Sequence, residues 1–186
     1  MRTLLLALLL SGALAQAGEL PTTSIHRLDI ALVDQDGKGS HLADRRGKPL
    51  VVGMFYTSCH SACPLIVDTL LATERALAKS GGPEVDVLLV SFDASRDDPL
   101  ALKRTADSRK LAAPEWTLAR AEAGDVRKLA AALDIRYRTL DDGEINHSSV
   151  ITLLDREGRI VARTEKIGTT DDAFIAQVRK TLASAD

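Results

Sequence analysis

Aromatic residues are scarce in this sequence of 186 residues, and neither an excess of basic charge nor an internal repeat occurs. Phe, Trp and Tyr make up 3% of the chain, which argues against a stacking platform for sugars or bases. The 24 basic and 26 acidic side chains leave a net charge of −2, so nucleic acid is not an expected partner. Hydrophobic residues reach 45%, which is typical of a soluble globular protein.

The first residues, MRTLLLALLLSGALAQAG, have the pattern of a secretory signal peptide. Arg2 precedes an apolar run from Leu4 to Leu10, and small residues follow, so cleavage is expected after about Ala15 or Ala17. The alternative is an uncleaved membrane anchor, but the apolar run is shorter than the roughly 20 residues that a spanning helix needs. The sequence therefore predicts an exported protein with a signal peptide at 1–17.

Residues 18–186 are expected to form a single domain, since their number lies within the usual size of one. Export would place both cysteines in an oxidising compartment. There they would tend to form a disulfide unless a reductant or a metal ion kept them apart.

Both cysteines of the chain, Cys59 and Cys63, lie between a predicted buried strand and a predicted helix. The run VVGMFY at 51–56 is apolar and favours a β-strand, whereas Leu65–Lys79 has helical periodicity. A helix N-terminus favours thiolate over thiol, which raises nucleophilicity and metal affinity. Pro64 is expected to push Cys63 toward extended geometry. The pair could form a disulfide, exchange electrons with another dithiol, or bind a soft metal.

The other predicted elements alternate between strands and helices. Turn residues at 36–39 indicate an N-terminal hairpin that covers a sheet edge, and Asp98 is a suitable helix N-cap. The whole pattern predicts an α/β domain of thioredoxin type, with a central mixed sheet flanked by helices. In chain order the elements are strands Ile30–Gln35, Gly39–Ala43 and Val85–Ser91, helix Pro99–Lys110, strand Trp116–Ala121, helix Gly124–Leu133, strands Ile135–Thr139, Val150–Leu154 and Arg159–Arg163, and helix Thr170–Leu182.

Four histidines could join the cysteines. His60 lies between them in the chain, and His147 lies in a polar segment, INHSS, interpreted as a loop before a strand. His26 and His41 are expected at the surface. Two cysteines and one histidine form a soft set of three ligands that suits copper, because thiolates select Cu(I) and imidazole also accommodates Cu(II). A structural zinc site would need a fourth ligand.

Four segments together resemble the Sco/SenC family of copper-binding, thioredoxin-fold proteins that help assemble the copper centre of cytochrome c oxidase. They are YTSCHSACP before a helix, LLVSFDASRDDP, WTLARA and INHSSVITLLDREGRIV, in the order that the family has them. The similarity extends over about Ile25 to Ala183. A lone pair of cysteines at this spacing would be a weak signal, whereas the four segments in order are a strong one.

The resemblance implies copper, as Cu(I) or Cu(II), with Cys59, Cys63 and His147 as ligands. It also implies that Asp93 and Asp97 lie near the site. The chain departs from the family pattern in two places. His60 replaces the proline that commonly follows the first cysteine, and Asn146 replaces an aspartate that often precedes the late histidine.

Two functions follow from the resemblance. The first is a periplasmic metallochaperone, not primarily an enzyme, whose partner is the copper-site subunit of cytochrome c oxidase. The second is a thiol–disulfide reductase in which Cys59 and Cys63 form a redox-active pair that keeps the oxidase cysteines reduced. Another copper chaperone or a thioredoxin-like reductant would then be a further partner. A thiol peroxidase is a third possible function, but no activating arginine is identifiable in the sequence.

Overall fold

The structure is a computed structural model that describes residues 19–82 and 84–184. The predicted signal peptide at 1–17 lies outside the described residues. No helix in the described part of the chain is both long and apolar enough to cross a membrane.

The described residues form nine strands and four α-helices. The strands are β1 (Ala31–Asp34), β2 (Gly39–His41), β3 (Leu50–Phe55), β4 (Asp86–Ser91), β5 (Trp116–Arg120), β6 (Tyr137–Thr139), β7 (Ile145–His147), β8 (Ile151–Leu154) and β9 (Ile160–Thr164). The helices are α1 (Ala62–Lys79), α2 (Pro99–Arg109), α3 (Ala123–Ala132) and α4 (Asp172–Ala183).

Seven strands form one mixed sheet in the order β2-β1-β5-β4-β3-β8-β9. Strands β3, β4 and β5 are parallel neighbours, and the other pairings are antiparallel. The hairpin β1–β2 covers one edge of the sheet, and the hairpin β8–β9 forms the other. The predicted mixed α/β fold of thioredoxin type with an N-terminal hairpin is therefore confirmed.

Strand β3 lies in the interior of the sheet, and all six of its residues are buried. Its parallel pairing with β4 brings Gly53 opposite Leu89. A Cβ atom at Gly53 would lie 3.0 Å from Leu89 Cδ2 and 3.9 Å from Ile66 Cγ2 of α1. The glycine thus lets β4 and α1 pack closely against β3, the strand that leads into both cysteines.

Helix α1 begins at Ala62, earlier than expected, so the prediction that Cys63 has extended geometry is wrong. Cys63 is helical rather than extended, with Pro64 directly after it in the first turn. The first four N–H groups of a helix have no partner within it, so a proline in this turn removes no helical hydrogen bond. The helix therefore accommodates Pro64 and holds Cys63 in its first turn.

Two further predictions about histidines are wrong. His147 is the last residue of β7 and not part of a loop. Strand β7 pairs with β6 in a separate two-stranded sheet. The sequence did not predict β7, because a strand of three residues is too short to show a periodicity. His26 is 2% exposed rather than at the surface. It lies in a 3₁₀ turn, Ile25–Arg27, that packs against the β8–β9 turn through the hydrogen bond from Ile25 N to Gly158 O. His41 is exposed, as predicted.

Candidate metal centre

Both cysteines lie where β3 gives way to α1, and their backbone geometry links them. Cys59 N donates to Tyr56 O at 3.2 Å, which closes a turn after the strand. Cys63 N then donates to Cys59 Sγ at 3.3 Å. This N–H is one of those that the first turn of α1 leaves free, so the helix N-terminus is directed at the Cys59 sulfur. The two thiols are 6% and 4% exposed.

The surroundings shift the pKa values of the two thiols in opposite directions. Burial raises the pKa of Cys59, but hydrogen bonds from the Cys63 thiol and from the Cys63 and Ser61 N–H groups outweigh it, so the pKa is lowered. Burial raises the pKa of Cys63, and the neighbouring Cys59 raises it further. Cys59 is therefore the thiol that ionises first and the better nucleophile of the pair.

His147 reaches the cysteines from the β6–β7 hairpin. Its Nε2 lies 3.7 Å from Cys63 Sγ, and its Nδ1 lies 3.1 Å from Ser148 O. A proton on Nδ1 would be donated to that carbonyl, which leaves Nε2 as a free acceptor facing the sulfur. Burial lowers the pKa of His147, and this favours the neutral imidazole that binds metal ions.

The ligand atoms of Cys59, Cys63 and His147 all lie within 4.8 Å of one another. Among the described residues no other group of three or more histidine, cysteine or acidic side chains converges in this way. Metal–sulfur and metal–nitrogen bonds of about 2.0–2.3 Å place three trigonal ligands roughly 3.5–4 Å apart. Shifts of a few tenths of an ångström per ligand would thus close the group around one ion, and its soft donors fit copper.

Asp97 lies near enough to this group for its charge to act on Cys63, and Asp93 precedes it in the same loop; neither joins the ligand group. Asp97 is fully buried, and its carboxylate accepts hydrogen bonds from Thr57 N at 2.9 Å and from Thr57 Oγ1 at 2.5 Å. It therefore holds the backbone two residues before Cys59. Asp93 is 6% exposed and forms an ion pair with Arg96. Both carboxylates therefore accept hydrogen bonds from loop residues and supply no ligand atom to the group.

Neither residue at which the sequence departs from the family pattern belongs to the ligand group. His60 is exposed, although its neighbour Cys59 is buried. Asn146 is also exposed and pairs with Arg138 across the hairpin, on the face opposite His147. Both departures leave the three ligand positions intact.

Phe92, Tyr56 and Glu144 support the hairpin that carries His147, and the sequence did not identify them as functional residues. The ring of Phe92 lies 4.7 Å from the His147 ring, centroid to centroid, at an interplanar angle of 37°. The Tyr56 hydroxyl donates to Glu144 Oε2 at 2.7 Å and accepts from Ile145 N at 3.3 Å. Phe92 could have been noticed because it directly follows a buried strand, whereas no local pattern distinguishes Glu144.

A cleft of about 240 Å³ opens beside the ligand group. Tyr56, Cys59 and Ser61 line one side, and Glu144, Asn146 and His147 line the other. Cys59 and His147 are therefore the ligands that a partner could approach from this cleft. Cys63 lies behind them in the first turn of α1.

The fold and the site together define a thioredoxin-like protein with two cysteines and one histidine at a strand-to-helix junction. The sequence model of the SCO1/SenC family matches residues 21–183, so the chain belongs to this family. Among curated protein sequences, none matches the chain significantly.

Solved structures share the fold. A putative electron transfer protein from Aquifex aeolicus is 28% identical, with a TM-score of 0.74 over 83% of this chain and 90% of that one. A SCO1/SenC family lipoprotein from Bacillus anthracis is 23% identical, with a TM-score of 0.74 over 84% and 94%. Arabidopsis thaliana ScoI with copper bound is 20% identical, with a TM-score of 0.71 over 82% and 98%. The last two similarities establish the fold alone.

Proposed function

We propose that this protein binds copper through Cys59, Cys63 and His147, and delivers it as a periplasmic metallochaperone for assembly of the cytochrome c oxidase copper centre. The observation that carries the proposal is the convergence of the three ligand atoms within 4.8 Å. Membership of the SCO1/SenC family supports it, as do family structures described as having copper bound. The predicted signal peptide at 1–17 supports export.

Copper capture requires the reduced cysteines. Cys59, whose pKa is lowered, supplies the first thiolate, and metal binding then releases the proton of Cys63. His147 contributes Nε2 as the third ligand without losing a proton, because the ring is already neutral. Transfer to the oxidase subunit would proceed by ligand exchange through the cleft beside Cys59.

One feature of the geometry favours the second function, thiol–disulfide exchange: Cys63 N donates to Cys59 Sγ at 3.3 Å, which stabilises a thiolate at Cys59, whereas burial raises the pKa of Cys63. In this reaction the Cys59 thiolate attacks a partner disulfide and forms a mixed disulfide, which releases one partner thiol. Cys63 then loses its proton and attacks Cys59 Sγ, which releases the second partner thiol and leaves the Cys59–Cys63 disulfide. A thioredoxin-like dithiol would return the two electrons.

Anaerobic copper titration of the reduced protein in competition with a chelator tests the proposed site. Cys59→Ser and Cys63→Ser should each abolish tight binding, because one thiolate and one imidazole cannot form the three-ligand set. His147→Ala should weaken Cu(II) more than Cu(I), and should change the Cu(II) absorption and paramagnetic resonance spectra. His41→Ala, at an exposed histidine outside the site, is the matched control.

The outcome in cells separates the two functions. If His147→Ala loses copper and oxidase assembly together, the metallochaperone is supported. If the variant loses copper but still supports oxidase assembly fully, exchange through Cys59 and Cys63 is the function. Copper affinity equal to that of the wild type in either Cys→Ser variant would contradict the site itself.

A further inference from the structure

The hairpin that carries His147 is not part of the main sheet. In the described part of the chain, strands β6 and β7 pair only with each other, whereas both cysteines follow β3 in the seven-stranded sheet. Backbone ladder hydrogen bonds therefore do not set the distance between His147 and the thiols. The distance must depend on the contacts that join the hairpin to the rest of the protein.

Arg96 makes one of these contacts from the loop between β4 and α2. Its Nη2 donates to Gly143 O at 2.7 Å, across 47 residues of sequence. Gly143 lies in the turn of the hairpin with φ = +83°, four residues before His147. The same guanidinium carries a charge that interacts with Glu144, the next residue of the turn. The Arg96 guanidinium thus holds the turn in two ways: it donates to the carbonyl of Gly143, and it attracts the carboxylate of Glu144.

The guanidinium itself is held in place by Asp93. Arg96 Nε donates to Asp93 Oδ2, and the other carboxylate oxygen accepts from Ser95 Oγ at 2.8 Å and from Arg96 N at 3.1 Å. Asp93 N in turn donates to Ser91 Oγ at 2.9 Å, at the end of β4. This chain of contacts connects the main sheet to the hairpin turn through a fixed side chain.

The loop that carries Arg96 also contacts His147 itself. Phe92 directly precedes Asp93, and its ring packs against His147 and, at 5.0 Å between centroids, against Tyr137 of β6. The turn is held by Arg96 and the two strands are held by Phe92. A shift of the turn would therefore move the ring of His147 relative to Phe92 and Cys63.

We infer that Arg96 is a positioning residue for the metal centre, which fixes the β6–β7 turn through Gly143 O so that His147 Nε2 faces Cys63 Sγ. The inference rests on the proposed function insofar as His147 is a ligand. An ion pair between exposed side chains stabilises a protein little. The bond to Gly143 O is also exposed, so water can hydrate the carbonyl when the guanidinium is lost. Its effect is on position, because it connects the loop after β4 with the turn of the β6–β7 hairpin.

Arg96→Gln removes the guanidinium and keeps a polar side chain of intermediate length. Arg96→Lys keeps the charge but cannot reach Asp93 and Gly143 O with two separate N–H groups. Arg159→Gln is the matched control, since Arg159 Nε also pairs with an aspartate in a turn, Asp155, at 2.7 Å and similar exposure. Leu154 precedes this turn and pairs with Leu50, the first residue of β3, so the control lies at the end of the sheet away from the cysteines.

Two measurements on the metal-free, reduced protein test the inference directly. Amide hydrogen exchange should become faster at 137–147 in Arg96→Gln, and the NMR signals of the His147 ring should shift. Arg159→Gln should change neither. With copper added, Arg96→Gln should lower Cu(II) affinity by about 10–100-fold, as loss of a ligand's supporting contact typically does. The reduction potential of the Cys59–Cys63 pair should stay the same, because neither cysteine contacts Arg96.

Unchanged exchange at 137–147 and an unchanged His147 ring in a folded Arg96→Gln protein would overturn the inference. Equal changes in Arg159→Gln would overturn it as well, since they would reflect general loss of stability. If Arg96→Gln does not fold, Arg96→Lys is measured in its place with the same criteria. If the wild type binds no copper, the proposed function fails, but hydrogen exchange and the His147 signals still decide the role of Arg96.

Discussion

His60 is the histidine nearest to the thiols in sequence, yet its side chain is exposed and lies outside the ligand group. Its neighbours Cys59 and Cys63 are buried because the turn after β3 and the first turn of α1 direct them inward. We therefore expect His60→Ala to leave the Cu(II) absorption and paramagnetic resonance spectra unchanged. A shifted spectrum would show that His60 is a ligand and would contradict the site as described.

His26 is a buried titratable residue outside the site. Its two ring nitrogens have no hydrogen-bond partner among the residues that the structure describes, and the ring packs against the turn at Gly158, where a Cβ atom would lie 2.7 Å from it. Burial lowers the pKa of His26; Asp155 opposes this shift and Arg46 adds to it. The imidazole is therefore neutral in the folded protein at neutral pH.

This burial predicts a pH-dependent stability. In the unfolded chain the pKa of His26 is near 6.5, so below that pH the unfolded state binds a proton more readily than the folded state. The free energy of unfolding should then fall as pH decreases from 6.5, by at most about 1.4 kcal/mol per pH unit, until the folded-state pKa is reached.

His26→Leu should flatten the dependence, measured by urea unfolding between pH 7.5 and 5. His147 also has a lowered pKa, but both the wild type and His26→Leu contain it, so the difference between their slopes reports His26. His41→Gln, at the exposed histidine, should keep the slope of the wild type. Equal slopes in the wild type and His26→Leu would contradict the prediction.

At the scale of elements, the close approach of β3, β4 and α1 holds the cysteine junction in place. Gly53→Ala would add a methyl group 3.0 Å from Leu89 Cδ2 in a fully buried strand. We expect a loss of about 1–3 kcal/mol in the free energy of unfolding, which is typical of an overpacked interior. Thermal unfolding monitored by circular dichroism measures it.

Gly39→Ala is the control for this prediction. Gly39 also lies in a strand, β2, but nothing stands within 4 Å of a Cβ atom there. This variant should be neutral or slightly stabilising, because alanine restricts the unfolded chain. If both variants were equally stable, the packing of Leu89 of β4 against Gly53 would be looser than the structure indicates.

At the scale of the whole molecule, the cysteines lie where β3 leads into α1 and His147 lies in the separate β6–β7 hairpin, so a bound ion would connect the two parts. Copper at about 100 times its Kd should add about 2.7 kcal/mol to the stability of the reduced protein, and should raise the Tm by about 5–10 °C. Calorimetry with and without copper tests this. The oxidised protein and Cys63→Ser should show no such increase, because neither offers two thiolates.

The sequence by itself was sufficient for features that depend on neighbouring residues. The position of Cys59 and Cys63 at a strand-to-helix junction, the Asp98 cap and both edge hairpins are as predicted, because local hydrogen bonds and side-chain periodicity set them. The soft donor set was also evident, since it depends only on residue type. Element boundaries agreed within a few residues for the long strands and helices.

Only the tertiary structure decided which residues distant in the chain meet. From the residues alone four histidines could have joined the cysteines, and the resemblance to a family singled out His147; the fold places it beside Cys63 across 84 residues. The burial of His26 and the contact of Arg96 with Gly143 O had no signal in the sequence. Such contacts depend on how whole elements pack, and a short strand such as β7 is stabilised by its partner rather than by its own three residues.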